Sequence, residues 1–488
     1  MNCVVLGAGL AGLTAALELQ RRGCHAIVIE AAPFAGGRAS SWTTSDGMVS
    51  GTGLHVVADH YVNLLDLLGT VDGTGEIVWW REHCHLHSGR PPMTWRYSPL
   101  PAPFHLLYAA RLFPVPLKSR LRLLRASLDA ARYRQRDLGS LDELPYLSWH
   151  DSHGLGNGPM LEIAELAADA ATFLPIERAS ARAVLSWVKY MSRGRSAARI
   201  GTWRAPLSRA LISPLVKAIE QAGGEVRLRT VAAGIICRDE RVRAVVTAES
   251  SARRPCYDAG GQPQLCGPEE ELTCDAVISA LPVQALRHVV DAGLAARAGI
   301  SDALKLTTVP AVSAVIAFDG PIRPVPPGAP LVTGCAMRDF IDLTSLSGDS
   351  QGPSVYQFLM TRPEEWSART DEEIVDALVR DLRAVFPAAS GVSRAKAVVE
   401  RIGAAMFAGV PGSHRLRPAT GTGIRGLFLA GDWVRHDLNA SMEGAVLSGR
   451  LAAQAVLGGR ASVPVLAPGE PLFLRALQAV ARPPLPAV

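Results

Sequence analysis

The residues best suited to chemistry begin at the seventh position. Gly7, Gly9 and Gly12, in GAGLAG, follow directly on the apolar run CVVL at residues 3–6. A short apolar run of this kind reads as a buried parallel strand, and the glycines as the turn that leads it into a helix opening at Leu10 and Ala11. Gly7 permits the tight turn, Gly9 lets backbone approach a pyrophosphate, and Gly12 lets the helix pack against the strand with its first amides aimed at the phosphates. A second apolar strand, AIVIE, ends on Glu30, eighteen residues past Gly12. A carboxylate at that distance accepts both hydroxyls of an adenosine ribose and repels a 2′-phosphate.

Beyond Glu30, Ala31 leads into Gly36, Gly37 and Arg38, which offer a second close backbone approach and a fixed cation for a pyrophosphate. That addition separates an FAD site from an NAD site. Far away, GLFLAGDWVRHDLNASMEGAVLSG reads as a strand, Gly431 and Asp432, a loop, and a helix capped by Ser441. Asp432 is placed to accept from ribityl hydroxyls, and the positive end of the helix at Met442–Ala445 to face the flavin pyrimidine edge. No second nicotinamide-type glycine motif is evident, so the electrons leave to a quinone or to dioxygen.

The elements that must position these groups alternate strand and helix at both ends of the chain. The expected fold is therefore α/β, with the dinucleotide domain assembled from residues 1–80, 201–295 and 412–460. Residues 81–200 and 296–411 form a substrate- and membrane-facing α+β domain, and 461–488 a C-terminal tail. The 488 residues carry 48% hydrophobic and 19% charged side chains, with mean hydropathy +0.16, which permits large cores and a rather apolar surface. Residues 249–271 read as a polar insertion. Residues 97–136 carry five prolines and then a helical run whose Leu117, Leu121, Leu124, Leu128 and Ala131 share one face and Lys118, Arg122, Arg125 and Arg132 another. Eight basic residues lie between Arg111 and Arg136 against one acidic residue, Asp129. The alternatives are a solvated surface and a contact with anionic lipid.

The eight cysteines show no CxxC pair, so no metal and no disulfide framework is signalled. No export signal and no spanning apolar run is visible. The expected location is cytoplasmic, peripheral on the inner face of the membrane. Nothing calls for nucleic acid as a partner, and the oligomeric state is not readable.

GAGLAG with EAAPFAGGR, GLHVVADHY, PLPAPFHLLYAARL, GGEVRL, DAVISALPV and AGDWVRHDLNASMEGAVLSG together resemble the plant and cyanobacterial phytoene and zeta-carotene desaturases and the squalene-associated flavoproteins, within the amine oxidase superfamily. The resemblance covers nearly the whole chain. It implies a Rossmann-like FAD-binding domain of the GR2 type and a discontinuous α+β substrate domain. It implies FAD contacts at Glu30, Arg38, His55, Val56, Tyr61, Val231, Asp432 and Met442, and substrate contacts at Ala440 and Arg209. The implied activity is oxidation of a long isoprenoid by hydride transfer to flavin N5; a dehydroxylase, an amine or porphyrinogen oxidase, and a flavin-bearing scaffold or isomerase remain open alternatives. Two departures stand where substrate meets flavin: Asp59, where a glycine is common, and Asn439, where an apolar residue is usual. Both raise the prospect of an oxygenated isoprenoid. No catalytic triad is present, and the candidate bases are His55 and Glu443.

Overall fold

The structure, a computed structural model, describes residues 1–71, 73–80, 82–96, 116–133, 137–191, 199–252, 265–326, 328–348, 352–362 and 365–469. Its organising element is a five-stranded parallel sheet in the order Glu225–Arg227, His25–Ile29, Asn2–Leu6, Ala276–Ser279, Leu427–Leu429. Residues far apart in sequence thus become neighbours, each strand ending at the same edge. Successive side chains of the central strand serve two cores. Cys3 and Val5 pack with the helices Leu10–Gln20, Ser213–Gln221 and Met442–Leu457, while Val4 and Leu6 pack toward a three-stranded antiparallel sheet and the helices Val283–Val289 and Ala292–Ala298. Covered on both faces, the strand is apolar throughout rather than alternating.

The helices Leu10–Gln20 and Met442–Leu457 cross at close range. A Cβ on Gly449 would lie 2.4 Å from the carbonyl oxygen of Ala11, so only glycine fits that crossing. The antiparallel sheet comprises Thr230–Arg238, Arg241–Ser250 and Leu265–Thr273. Its last strand corrects the reading of 249–271 as an insertion: Leu265–Thr273 is a strand exposed along nearly its whole length, which is why it carries Glu269, Glu270 and Glu271. Residues 253–264 of that segment lie outside the described residues.

A second body centres on a seven-stranded sheet in the order Arg394–Phe407, Thr308–Phe318, Val355–Met360, Asp339–Asp342, Leu331–Thr333, Glu82–His87, Arg90–Arg96. Under it packs the helix Asp371–Val385, opened by a capping box between Thr370 and Glu373. The helices Leu117–Arg132, Tyr146–Ser152, Pro159–Thr172 and Ala181–Met191 form a further core that reaches Val309 and Met406 of the sheet. The basic helix docks through its alanines. Ala126, Ala130 and the following Tyr133 face the core, leaving Leu117 and Leu121 on the surface at 72% and 59% exposure. Small alanines let the helix lie close.

Candidate functional site

At the carboxyl ends of the parallel strands two glycine loops lie against each other. The amide of Gly36 donates to the Ala8 carbonyl at 2.8 Å, and Gly9 and Gly36 form a parallel bridge. Gly7, Gly36 and Gly37 have φ of +97°, +120° and +53°, a region other residues enter at a cost. A Cβ on Gly12 would lie 2.0 Å from the Gly7 carbonyl oxygen, whereas one on Gly9 would meet nothing within 4 Å. Gly12 is thus demanded by the fold itself. Gly9 instead keeps space open in front of a helix whose N-terminus has no side-chain cap, the geometry that receives an anion.

Beside the cradle, Glu30 accepts from the amides of Ala8 and Ala32, each at 2.9 Å. Burial pushes its carboxyl above the usual range, against these bonds. The amides of Arg229 and Thr230 donate to the carbonyls of Ala32 and Glu30, which brings the buried Val231 alongside Ala31. Glu30, Ala31 and Val231 therefore border one place, as an adenosine site requires.

Arg38 and Asp432, 394 residues apart, meet in an ion pair of 2.6 Å, and Arg38 also donates to the Ala405 carbonyl at 3.3 Å. Read from sequence as separate ligands, they are one unit: Asp432 orients the guanidinium. Gly431, at φ +130°, gives its amide to Ser448 Oγ at 2.8 Å. The loop that follows is organised by a residue that sequence reasoning missed. Arg417, buried, donates to the carbonyls of Asp432, Trp433, Val434, His436 and Leu438 at 2.6–3.2 Å. Burial pulls its pKa down to about 9. No periodicity marks such an arginine; its five acceptors appear only when the loop closes on it.

Along the other wall runs the segment Gly53–Tyr61, held by the short sheet Val57–Ala58, Ile200–Trp203, Ile77–Trp79. Val56 packs toward Trp80 and Ile341. His55 Nε2 lies 3.2 Å from Thr52 Oγ1, and burial, helped by the Arg38 charge, lowers its pKa to about 4. It is neutral at physiological pH. Burial and the Glu443 carboxylate push the Tyr61 hydroxyl up, so it keeps its proton.

Glu443, one of the two candidate bases, is fully buried and fully engaged. Its carboxylate accepts from the Asn63 amide at 3.0 Å, Asn63 Nδ2 at 2.8 Å, the Leu64 amide at 2.8 Å and Tyr190 Oη at 3.1 Å. That geometry anchors the start of the helix Val62–Gly69 to the helix Met442–Leu457 and engages both oxygens of the candidate base. Asn439 is also engaged: its Nδ2 donates to the carbonyls of Ala183 at 2.8 Å and Ala171 at 3.3 Å, tying the loop to two helices of the second body. Asp59 is half-buried, its carboxylate 3.5 Å from His60 Nδ1. Ala440 packs between the helical core and the core below the parallel sheet, and Met442 against the helix core. Arg209 is exposed in the turn Ser208–Ile212, away from the buried face formed by Ala210, Leu211 and Ile212.

The family model for flavin containing amine oxidoreductase matches residues 10–457. The chain belongs to that family. The cradle fits the family's cofactor in its dinucleotide form, FAD, since Gly9 leaves the space, the helix end the amides, and Glu30 and Arg38 the ribose and pyrophosphate partners. The 15-cis-phytoene desaturase of Solanum lycopersicum is 26% identical over 476 residues, covering 94% of this chain and 78% of its own. The probable zeta-carotene desaturase of Synechococcus elongatus is 25% identical, covering 94% and 99%. Among solved structures, an oxidoreductase from Methanosarcina mazei superposes with TM-score 0.68 at 16% identity, over 94% of this chain and 100% of that one. A putrescine oxidase gives 0.66 at 14%, over 94% and 99%. These two share the fold of this chain.

Proposed function

We propose that this FAD-dependent oxidoreductase desaturates a long isoprenoid drawn from a membrane. The observation that carries the reading is the scarcity of charge on the wall beside the dinucleotide cradle, where Asp59, next to His60, is the one acidic residue of the segment Gly53–Tyr61. His55 carries no charge, Tyr61 keeps its proton, and Glu443 and Asn439 are spent on backbone amides, carbonyls and a tyrosine hydroxyl. Such a wall receives an apolar chain and excludes water. It is poorly suited to fixing an ammonium group. The names of the relatives that match over 94% of the chain point the same way.

FAD, when bound, supplies the acceptor for a hydride, and the protein supplies position and exclusion of solvent. Arg38, oriented by Asp432, and the first amides of the helix at Leu10 hold the pyrophosphate; Glu30 holds the ribose. Ala440 and Met442 offer the chain small and flexible apolar contact. Electrons pass on to a quinone or to dioxygen. The direct test is to incubate the holoprotein with a long polyene precursor in liposomes with a quinone and weigh the product. Loss of two hydrogens supports desaturation, and loss of oxygen from an alcohol substrate would make the enzyme a dehydroxylase instead.

We place the enzyme peripherally on a cytoplasmic membrane face. No described helix is long and apolar enough to cross a membrane. Leu117 and Leu121 stand exposed on the same helix as Lys118, Arg122 and Arg125, also exposed. Apolar side chains in the headgroup layer with cations around them suit anionic lipid, each cation contributing on the order of 1 kcal/mol. Residues 97–115 and 134–136 of this segment lie outside the described residues. Liposome co-sedimentation of the triple variant Lys118→Glu, Arg122→Glu, Arg125→Glu should lose its salt-sensitive binding; unchanged partitioning would leave the helix a solvated surface.

A further inference from the structure

Between the helix Pro159–Thr172 and the seven-stranded sheet lies a cleft of about 140 Å³, partly open to solvent. The helix contributes Glu162, Glu165 and Asp169; the sheet side contributes Thr333, Arg338 and Arg362. Glu165 and Arg362 approach at 3.8 Å. Two lining groups are incompletely satisfied. Asp169 is 7% exposed and has the Thr361 hydroxyl and the Arg338 and Arg362 charges near it, yet no donor meets its Oδ1 in good geometry, and the buried Nε of Arg362 meets no acceptor. Arg362 also holds φ at +58°, a conformation unusual for a long side chain. Behind Asp169 stands Asp339, whose buried Oδ1 is unmet too. Unmet buried polar atoms cost about 1–3 kcal/mol each, and their convergence on one cleft indicates that something completes them.

The chemistry of that partner follows from what is missing. An anion would satisfy only the arginine, and an ammonium group only the carboxylates. Among the described residues no three His, Cys, Asp or Glu side chains are arranged to hold a metal ion. A hydroxyl donates to Asp169 and accepts from Arg362. The same helix receives the Asn439 amide at Ala171, two residues from Asp169, which joins the cleft to the loop leading into Met442. We infer that this cleft binds a hydroxyl-bearing end of the substrate, a polar subsite that seats one terminus of an otherwise apolar chain. The inference rests on the isoprenoid reading of the site.

The test uses flavin-loaded protein in detergent micelles and two probes of nearly equal hydrophobicity, geranylgeraniol and its methyl ether, which lacks the donor. Wild type should bind the alcohol about tenfold more tightly, the worth of one good buried hydrogen bond. Asp169→Leu should abolish that preference while leaving ether binding unchanged, and Arg362→Gln should reduce it. Retained flavin absorbance and circular dichroism show that each variant is folded. Equal binding of the two probes by wild type, or a preference that survives in both variants, overturns the subsite and leaves the isoprenoid reading standing. Binding of neither probe overturns both.

Discussion

Around the dinucleotide cradle the buried charges are paired: Arg38 with Asp432, Arg450 with Glu18 and Asp66, Glu443 with two amides, and Arg417 with five carbonyls. In the cleft of the second body, Asp169, Asp339 and Arg362 retain unmet atoms despite comparable burial. The first pattern is that of a frame, in which each charge holds two elements together and loses its worth if its partner goes. The second is that of a receptor, whose polar atoms cost stability until a ligand arrives.

Breaking a pair should therefore hurt far more than removing an unmet group. Arg450→Met leaves Glu18 deprived of a buried partner and should cost about 3–5 kcal/mol in thermal or denaturant unfolding. Asp169→Leu should cost less than about 1 kcal/mol or stabilise, since it removes a buried carboxylate whose desolvation outweighs the help of Thr361, Arg338 and Arg362. Equal losses would erase the distinction between frame and receptor. The cradle offers a sharper contrast between two neighbouring glycines. Gly12→Ala collides with the Gly7 carbonyl and should fail to fold stably, whereas Gly9→Ala should leave unfolding of the flavin-free protein unchanged and weaken FAD binding by about tenfold or more. If Gly9→Ala retains FAD as tightly as wild type, the open space there is not reserved for the cofactor.

The smallest effect concerns pH. Burial first, then the charge of Asp169, raises the Asp339 carboxyl to about 7, with Arg338 opposing. The folded state thus holds this proton more tightly than the unfolded chain, so wild type loses stability from this group as pH rises through the window from about 4 to about 7. Asp339→Asn cannot titrate and should gain on wild type across that window, by on the order of 1–2 kcal/mol, in melting curves taken at each pH. A difference independent of pH would show that Asp339 is solvated and ordinary.

Legibility in the sequence follows the same division. Gly7, Gly12, Gly36 and Gly37 could be placed because backbone geometry tolerates nothing else there, and Glu30 because it sits at a set distance on a strand end. These are local requirements. The bonds of Glu443 and Asn439 are not legible because their partners, at residues 63–64 and at 171 and 183, lie hundreds of positions away, and nothing in SMEG or LNAS announces them. The helix Leu117–Arg132 is legible as amphipathic, but the face it buries is not, since the burial of Ala126 and Ala130 reflects how closely its neighbours approach. The cleft around Asp169 left no mark at all: its residues come from a helix and three separate strand ends, at spacings set only by the sheet.

The most direct measurement is anaerobic titration of the flavin-loaded enzyme with a long isoprenoid presented in liposomes, followed by flavin absorbance. Bleaching of the bound flavin, and its recovery on adding a quinone, is the predicted result. A flavin that stays oxidised with isoprenoids but bleaches with a polyamine or a porphyrinogen would contradict the proposed function while leaving the fold and the cofactor site intact.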